Sequence, residues 1–357
     1  MAKIRVVIVD DSSLARGLLR SFLDSESDIE VVGEATNGRQ AIDIVRELKP
    51  DLVTMDLEMP VMNGMEAIKE IMCSKAVPIL VVSSIANAHN ALEAVAHGAL
   101  EVVAKPEYSP AQAAEFVAKV RMLAGVSVIT RMRPRKSPLL AAEAPVATPA
   151  ESLSAAPVFN YRQIFAIASS TGGPQALAQI LPALPADFPC PVLIAQHISD
   201  GFAQGMADWL CSICKLPVRL GREGDLIAPA TVYISPSERD MAVAPNRRLT
   251  LLERGANHLY HPSCDALLES VASVFGPKAI GIILTGMGHD GAAGLAMIRT
   301  AGGTTLGQDE ASSVIYGMNR VAIEQGAVQR VLPLDAMAAA MIESAQRAPS
   351  QNKWDWT

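Results

Sequence analysis

Five short apolar runs alternate with five stretches of helical spacing in the first third of the chain, and this constrains the fold more than any other feature. The runs are Ile4–Val9, Val31–Gly33, Leu52–Met55, Ile79–Val82 and Glu101–Val103. The helical patterns cover Ser13–Leu23, Arg39–Leu48, Gly64–Met72, Ala88–Ala96 and Ala111–Leu123. Alternation at this short period predicts parallel strands joined by crossover helices, hence an α/β domain over residues 1–122. In such a sheet, sites form at the carboxyl ends of the strands.

Those ends carry chemistry. The first run ends in Asp10-Asp11, the third in Asp56, the fourth in Ser83-Ser84 and the fifth in Ala104-Lys105-Pro106. Three converging carboxylates repel one another unless a hard divalent cation lies among them, and Mg²⁺ suits such oxygen ligands. One carboxylate can then attack a phosphoryl group to give an acyl phosphate, with Lys105 and the Ser83 hydroxyl holding the phosphoryl oxygens. Strand-terminating aspartates that merely cap helices would explain any one of these residues, but poorly the whole set.

The segments Val7-Ile-Val-Asp-Asp-Ser, Asp51-Leu-Val-Thr-Met-Asp-Leu-Glu-Met-Pro60, Asn63-Gly64 and Lys105-Pro106 resemble the receiver domains of two-component response regulators. The resemblance implies a flavodoxin-like sheet of order 2-1-3-4-5 and phosphorylation on Asp56 by a histidine kinase. It also implies Mg²⁺ held by Asp11 and Asp56, with Asp10 close by and the Glu58 carbonyl as a further ligand. Ser83 would be the switch hydroxyl and Lys105 its charge partner. Val102 or Val103 fills the family's aromatic switch position.

Residues 123–160 read as a linker. Arg131-Met-Arg-Pro-Arg-Lys-Ser-Pro138 is basic, and Pro138, Pro145, Pro149 and Pro157 recur among alanines, which disfavours helix and strand alike. The basic patch invites a nucleic-acid reading. A formal net charge of −7 over 357 residues and 4% aromatics point instead to a solvated linker and to no nucleic-acid partner. Five scattered cysteines suit a reducing cytoplasm. No apolar run reaches membrane-spanning length, and the opening Met1-Ala-Lys-Ile-Arg, running straight into a strand, predicts no signal peptide and no membrane insertion.

Residues 161–348 alternate again, predicting a second doubly wound α/β domain with a mostly parallel sheet, followed by a tail at 349–357. The run Ile164-Phe-Ala-Ile-Ala ends abruptly in Ser169-Ser-Thr-Gly-Gly173, and Pro174 opens a helical stretch. This is strand, tight turn, helix. Ala168-Ser-Ser-Thr-Gly follows the G-x-S-x-G elbow with alanine first, so Ser170 takes the nucleophile position. Val192-Leu-Ile-Ala195 ends in Gln196-His197, and Ala279–Leu284 runs into Thr285-Gly-Met-Gly-His-Asp-Gly291. Three parallel strand ends thus offer Ser170, His197 and Asp290, the parts of a nucleophile–base–acid triad.

Rival constellations exist. His289-Asp290 has metal-ligand character but no second such pair. His258, His261 and Asp265 form another candidate cluster, although Asn257-His-Leu-Tyr-His-Pro reads more simply as a substrate-contacting loop. Cys211-Ser-Ile-Cys214 has C-x-x-C spacing but lies inside the amphipathic pattern Gly205–Cys214 and lacks a partner pair, so core or incidental cysteines fit better.

Ala168-Ser-Ser-Thr-Gly-Gly, Gln196-His197 with Gly201-Phe202, Pro262-Ser263 with Asp265, Thr285-Gly-Met-Gly-x-Asp-Gly291, and Gln308-Asp-Glu-Ala-Ser with Gly317-Met318 resemble the catalytic domain of the CheB family of chemotaxis protein-glutamate methylesterases. The resemblance implies Ser170 as nucleophile, His197 as base, Asp290 as orienting acid and backbone near Met287 at the oxyanion; Thr171 is our addition to that group. It implies hydrolysis of γ-glutamyl methyl esters on methyl-accepting chemotaxis receptors, deamidation of receptor glutamines, and no metal for hydrolysis. Ala168, His261 and Asn319 stand where the family usually has glycine, arginine and proline; an added methyl at 168 should crowd the elbow. The competing expectation is a non-catalytic signalling adaptor built on the same two domains.

Overall fold

The computed structural model describes residues 3–126, 128, 162–254 and 261–346. Most of the linker, its basic segment, His258 and the tail lie outside the described residues.

The N-terminal domain runs β1 (Ile4–Val9), α1 (Ser13–Asp24), β2 (Ile29–Ala35), α2 (Gly38–Leu48), β3 (Leu52–Met55), α3 (Gly64–Ser74), β4 (Ile79–Ser83), α4 (Ala88–Ala96), β5 (Glu101–Ala104) and α5 (Pro110–Ala124). All strand pairs are parallel and the order is β2-β1-β3-β4-β5, as expected. Alternation along β1 sets the layers: Val6 and Ile8 pack with Leu19, Phe22, Phe116 and Val120 under α1 and α5, while Val7 and Val9 face the α2–α4 side. Ser12, Asn37 and Asn63 cap α1, α2 and α3 by accepting from Ala15, Gln40 and Glu66 N–H, which supplies partners for groups a helix start cannot satisfy itself.

The C-terminal domain runs β6 (Ile164–Ser169), α6 (Gly173–Ile180), β7 (Val192–Gln196), α7 (Ala203–Ile213), β8 (Val218–Leu220), β9 (Val232–Ile234), β10 (Asp240–Val243), β11 (Leu249–Leu252), α8 (Cys264–Phe275), β12 (Ala279–Ile283), α9 (Ala292–Thr300), β13 (Thr304–Gln308), α10 (Met318–Glu324), β14 (Arg330–Leu332) and α11 (Leu334–Gln346). Its seven-stranded sheet has order β14-β13-β12-β6-β7-β9-β8 and is parallel throughout; β10 and β11 form a separate antiparallel pair. The chain first builds outward from β6 through β7, then crosses back to lay β12 on the other side. The carboxyl end of β6 is therefore a topological switch point, where open α/β sheets hold their ligands. Phe165 and Ile167 face the α6–α7 layer, and Ile164, Ala166 and Ala168 the α8–α9 layer.

The two domains touch. α4 packs on α7 so closely that a Cβ at Gly205 would lie 2.6 Å from Ala88 Cβ, and one at Gly201 would lie 2.6 Å from Ile85 Cγ2. One apolar cluster runs from Ala88 and Ala91 into Phe202 and Met206, and Val314 packs on the α1–α5 side of the first domain. No helix among the described residues is long and apolar enough to cross a membrane.

Candidate active site and phosphoacceptor

Strand register brings the three predicted residues together. β6 lies between β12 and β7, with Ala168 opposite Ile283 on one side and Ser169 opposite Gln196 on the other. Ser170 and His197 are the next residues of neighbouring strands, and His197 N–H donates to the Ser169 carbonyl at 3.0 Å. Asp290, seven residues beyond β12, meets His197 from the other side: Nε2 lies 2.7 Å from Asp290 Oδ2.

The elbow is held from several directions. Ser170 N–H donates to the Thr285 carbonyl at 3.1 Å, and Gly173 N–H returns to the Ser170 carbonyl at 2.7 Å. Buried Gln196 accepts from Ser169 Oγ at 2.6 Å and donates from Nε2 to the Ser170 and His197 carbonyls, both at 2.8 Å. A Cβ at Gly173 would sit 1.9 Å from Gln196 Oε1, so this staple requires glycine there. Thr285 Oγ1 donates to the Thr171 carbonyl at 2.9 Å. Gln196 and Thr285 lie in the strand-end motifs, but their stapling role carries no local signal, because the groups they hold come from neighbouring strands. The Thr171 and Met287 N–H groups, our oxyanion candidates, donate to no carbonyl among the described residues.

The expected crowding at Ala168 is absorbed in the layer above it, at the start of α9. A Cβ on Gly291 would come within 2.9 Å of Ala168 Cβ, so Gly291 supplies the space that the extra methyl takes. Asn319, in place of proline, is buried and donates to the Gln308 carbonyl and to Ser313 Oγ. His261 is half-buried, with Nδ1 4.0 Å from Asp240 Oδ1.

Asp290 is a well-held anion. Burial works against its charge, but the His197 contact and the Cys264 and Asp265 N–H groups, donating at 2.7 and 2.9 Å, hold its carboxyl down at about 2. Cys264 was not singled out from sequence. Its Sγ lies 3.5 Å from His197 Nε2, so His197, Cys264 and Asp290 present nitrogen, sulfur and oxygen together. Burial pushes the thiol well up, and Sγ also lies 3.4 Å from the Ala195 carbonyl, so Cys264 packs here as a neutral thiol. Asp265, the third member of the His258–His261 candidate cluster, instead accepts from Gly291 and Gly294 N–H. All five cysteines are free, Cys211 and Cys214 included.

In the first domain, Asp10, Asp11 and Asp56 each offer an oxygen within 4.8 Å of the others. Lys105 Nζ bridges Asp10 Oδ2 at 2.8 Å and Asp56 Oδ2 at 3.0 Å. One ammonium does not balance three carboxylates. Burial and the Asp10 charge push Asp56 up, against the Lys105 contact, which is the imbalance a divalent cation removes. Ser83 Oγ is buried without a partner among the described residues. Asp11, Glu58 and Asn63 line an adjoining cleft of about 520 Å³.

The domains also meet at the elbow. Thr171 Oγ1 donates to Glu101 Oε2 on β5 at 2.6 Å, and Glu101 in turn pairs with Lys119 of α5. Burial alone would lower the Lys119 ammonium; Glu101 reverses this and raises it.

Fold and site together define a response regulator whose output domain carries a Ser/His/Asp constellation at a strand-end switch point. Family models describe the same two parts: the response regulator receiver domain over residues 6–118 and CheB methylesterase over 165–341. A protein-glutamate methylesterase/protein-glutamine glutaminase of Paramagnetospirillum magneticum is 57% identical over 343 residues, spanning 96% of each chain. One of Myxococcus xanthus is 41% identical over 356 residues, spanning 97% of this chain and 95% of that one. The crystal structure of the Thermotoga maritima CheB methylesterase catalytic domain is 35% identical and covers 51% of this chain and 97% of its own, with a TM-score of 0.49. The chain belongs to the CheB methylesterase family.

Proposed function

We propose that this protein is a phosphorylation-gated protein-glutamate methylesterase acting on methyl-accepting chemotaxis receptors in the cytoplasm, and that it also deamidates receptor glutamines. The observation that carries the chemistry is the 2.7 Å contact between His197 Nε2 and Asp290 Oδ2 beside the strand end bearing Ser170.

Because Nε2 is engaged by Asp290, Nδ1 is the ring nitrogen that takes the Ser170 proton as Oγ attacks the ester carbonyl. Asp290 stays ionised and stabilises the imidazolium. The imidazolium then protonates the departing methoxide, leaving an acyl-enzyme on Ser170 and releasing methanol. Water, deprotonated by His197, attacks the acyl group and frees the glutamate carboxylate. Deamidation is the same acyl transfer with ammonia leaving. The Thr171 and Met287 N–H groups would receive the oxyanion; donors preset at this position are commonly the largest single contribution to acyl transfer.

Gating follows from the docked receiver. Ser170 is only 8% exposed. A glutamate side chain on a receptor helix needs far more room than that, and α4, β5 and α5 occupy the edge it must approach. Asp56 would accept a phosphoryl group from a histidine kinase, with Mg²⁺ held by Asp10, Asp11, Asp56 and the Glu58 carbonyl. Bound there, Mg²⁺ would neutralise phosphoryl charge during transfer. Lys105 would then pair with the phosphoryl group, and Ser83 Oγ would gain the partner it lacks. A rearrangement at β4 and β5 reaches Ile85, Ala88 and Glu101, all at the domain contact.

Methanol release from methylated receptor membranes, with and without a small phosphodonor and Mg²⁺, tests the reading. Release should rise with the donor and vanish in Ser170→Ala. Absence of release from folded, phosphorylated protein would refute it.

A further inference from the structure

The N-termini of α8 and α9 exchange carboxylates. Asp290, just ahead of α9, accepts from Cys264 and Asp265 N–H at the start of α8, at 2.7 and 2.9 Å. Asp265, in the first turn of α8, accepts from Gly291 and Gly294 N–H at the start of α9, at 2.9 and 2.7 Å. Each helix start, with its orphaned N–H groups and positive end, is thus neutralised by an acid belonging to the other. The exchange depends on close approach. A Cβ at Gly294 would lie 2.6 Å from Leu268 Cβ and 3.0 Å from the Asp265 carbonyl oxygen.

We propose that Asp265 is a positioning residue of the hydrolase, tying the start of α9 to α8 so that Asp290 stays on His197, and lending its charge to the imidazolium that forms during acylation. This rests on the triad reading above. Asp265 touches neither ester nor nucleophile; it acts through Asp290.

A simple cap would not need a carboxylate here. Burial pushes Asp265 up to about 6 despite the Gly294 N–H, and the Asp290 charge adds to this. Glu269 faces it one turn on along α8; His197 and Cys264 lie beyond Asp290; Asp240 accepts from Ser263 N–H at the α8 cap. A group raised in this way stabilises the fold when protonated and loses that contribution as pH rises through about 6. Ionised Asp265 therefore works against stability at neutral pH, a pattern common at functional sites.

The test compares Asp265→Asn, Asp265→Ala and Asp290→Ala in the full chain, phosphorylated, on methylated receptor membranes. The amide of Asp265→Asn still accepts from both glycines. That variant should keep its KM and match or exceed the wild-type thermal midpoint at pH 8, yet lose roughly tenfold in kcat. Its kcat/KM should lose the pH dependence that Asp265 contributes near 6 in the wild type. Asp265→Ala should lose on the order of 100-fold in kcat at unchanged KM, as a displaced Asp290 predicts. Wild-type kcat and pH dependence in both Asp265 variants, beside an inactive Asp290→Ala, would overturn the proposal and leave the triad standing. So would a loss confined to the thermal midpoint. A fully active Asp290→Ala would remove the triad reading, and the proposal with it.

Discussion

Replacing Gly205 by alanine adds one methyl group where α7 meets α4. That methyl would lie 2.6 Å from Ala88 Cβ, 2.7 Å from the Ala88 carbonyl carbon and 2.8 Å from His89 N. Carbon atoms prefer about 3.5–4.0 Å, and two of these three obstacles are backbone, so no rotamer change relieves the contact and α4 must withdraw by about 1 Å. Overpacking of this kind costs about 1–3 kcal/mol. The whole cost falls on the docked arrangement. The gain of about 0.5–1 kcal/mol from alanine within a helix is present docked or free, and so cancels. The docked-to-open ratio should therefore fall by about 5- to 150-fold. Methanol release without phosphodonor should climb accordingly, up to the ceiling set by the fully phosphorylated enzyme, and the stimulation by donor should shrink by the same factor. A Gly205→Ala chain with wild-type basal and stimulated rates would refute the receiver contact as the brake.

Ser170→Ala should lower methanol release by at least about 10³-fold while leaving the thermal transition near that of the wild type, since the change removes one poorly accessible hydroxyl. Asp56→Asn should take up no phosphoryl group from a small donor and should keep the basal esterase rate, which labelling beside the methanol assay reads directly. Asp290 is lowered from 3.8 to about 2, so its contribution is present above the ordinary carboxylate range and is lost as pH falls through about 2. The stability gap between wild type and Asp290→Ala, on the order of 2 kcal/mol from this source, should be flat near neutrality and close below about pH 4 in thermal melts.

The strand ends were legible because a parallel sheet writes its strands as short apolar runs and places its chemistry where they stop. Ser170, His197, Asp290 and the Asp10, Asp11, Asp56, Lys105 set all follow from that rule; the structure puts His197 on Asp290 beside the strand end that bears Ser170, and Lys105 on Asp10 and Asp56. The β10–β11 pair was not resolved from the sequence, since two four-residue strands amid turns carry too little period. The sequence offers Asp265 only as one member of a possible cluster, because its partners, the N–H groups of Gly291 and Gly294, are backbone atoms brought near only by helix packing. Glu101 and Thr171, 70 residues apart in different domains, carry no shared local signal; their contact exists only once the domains have docked.

Glu101 and Lys105 are four positions apart on and just beyond one short strand, one facing the hydrolase and the other the phosphoacceptor. Two sites joined through so short and stiff a segment are subject to thermodynamic reciprocity. Whatever factor phosphorylation contributes to receptor access, receptor engagement must return to the receiver as a preference for its phosphorylated form. The receptor would then act on this enzyme as an effector as well as a substrate, each favouring at equilibrium the receiver state that favours the other.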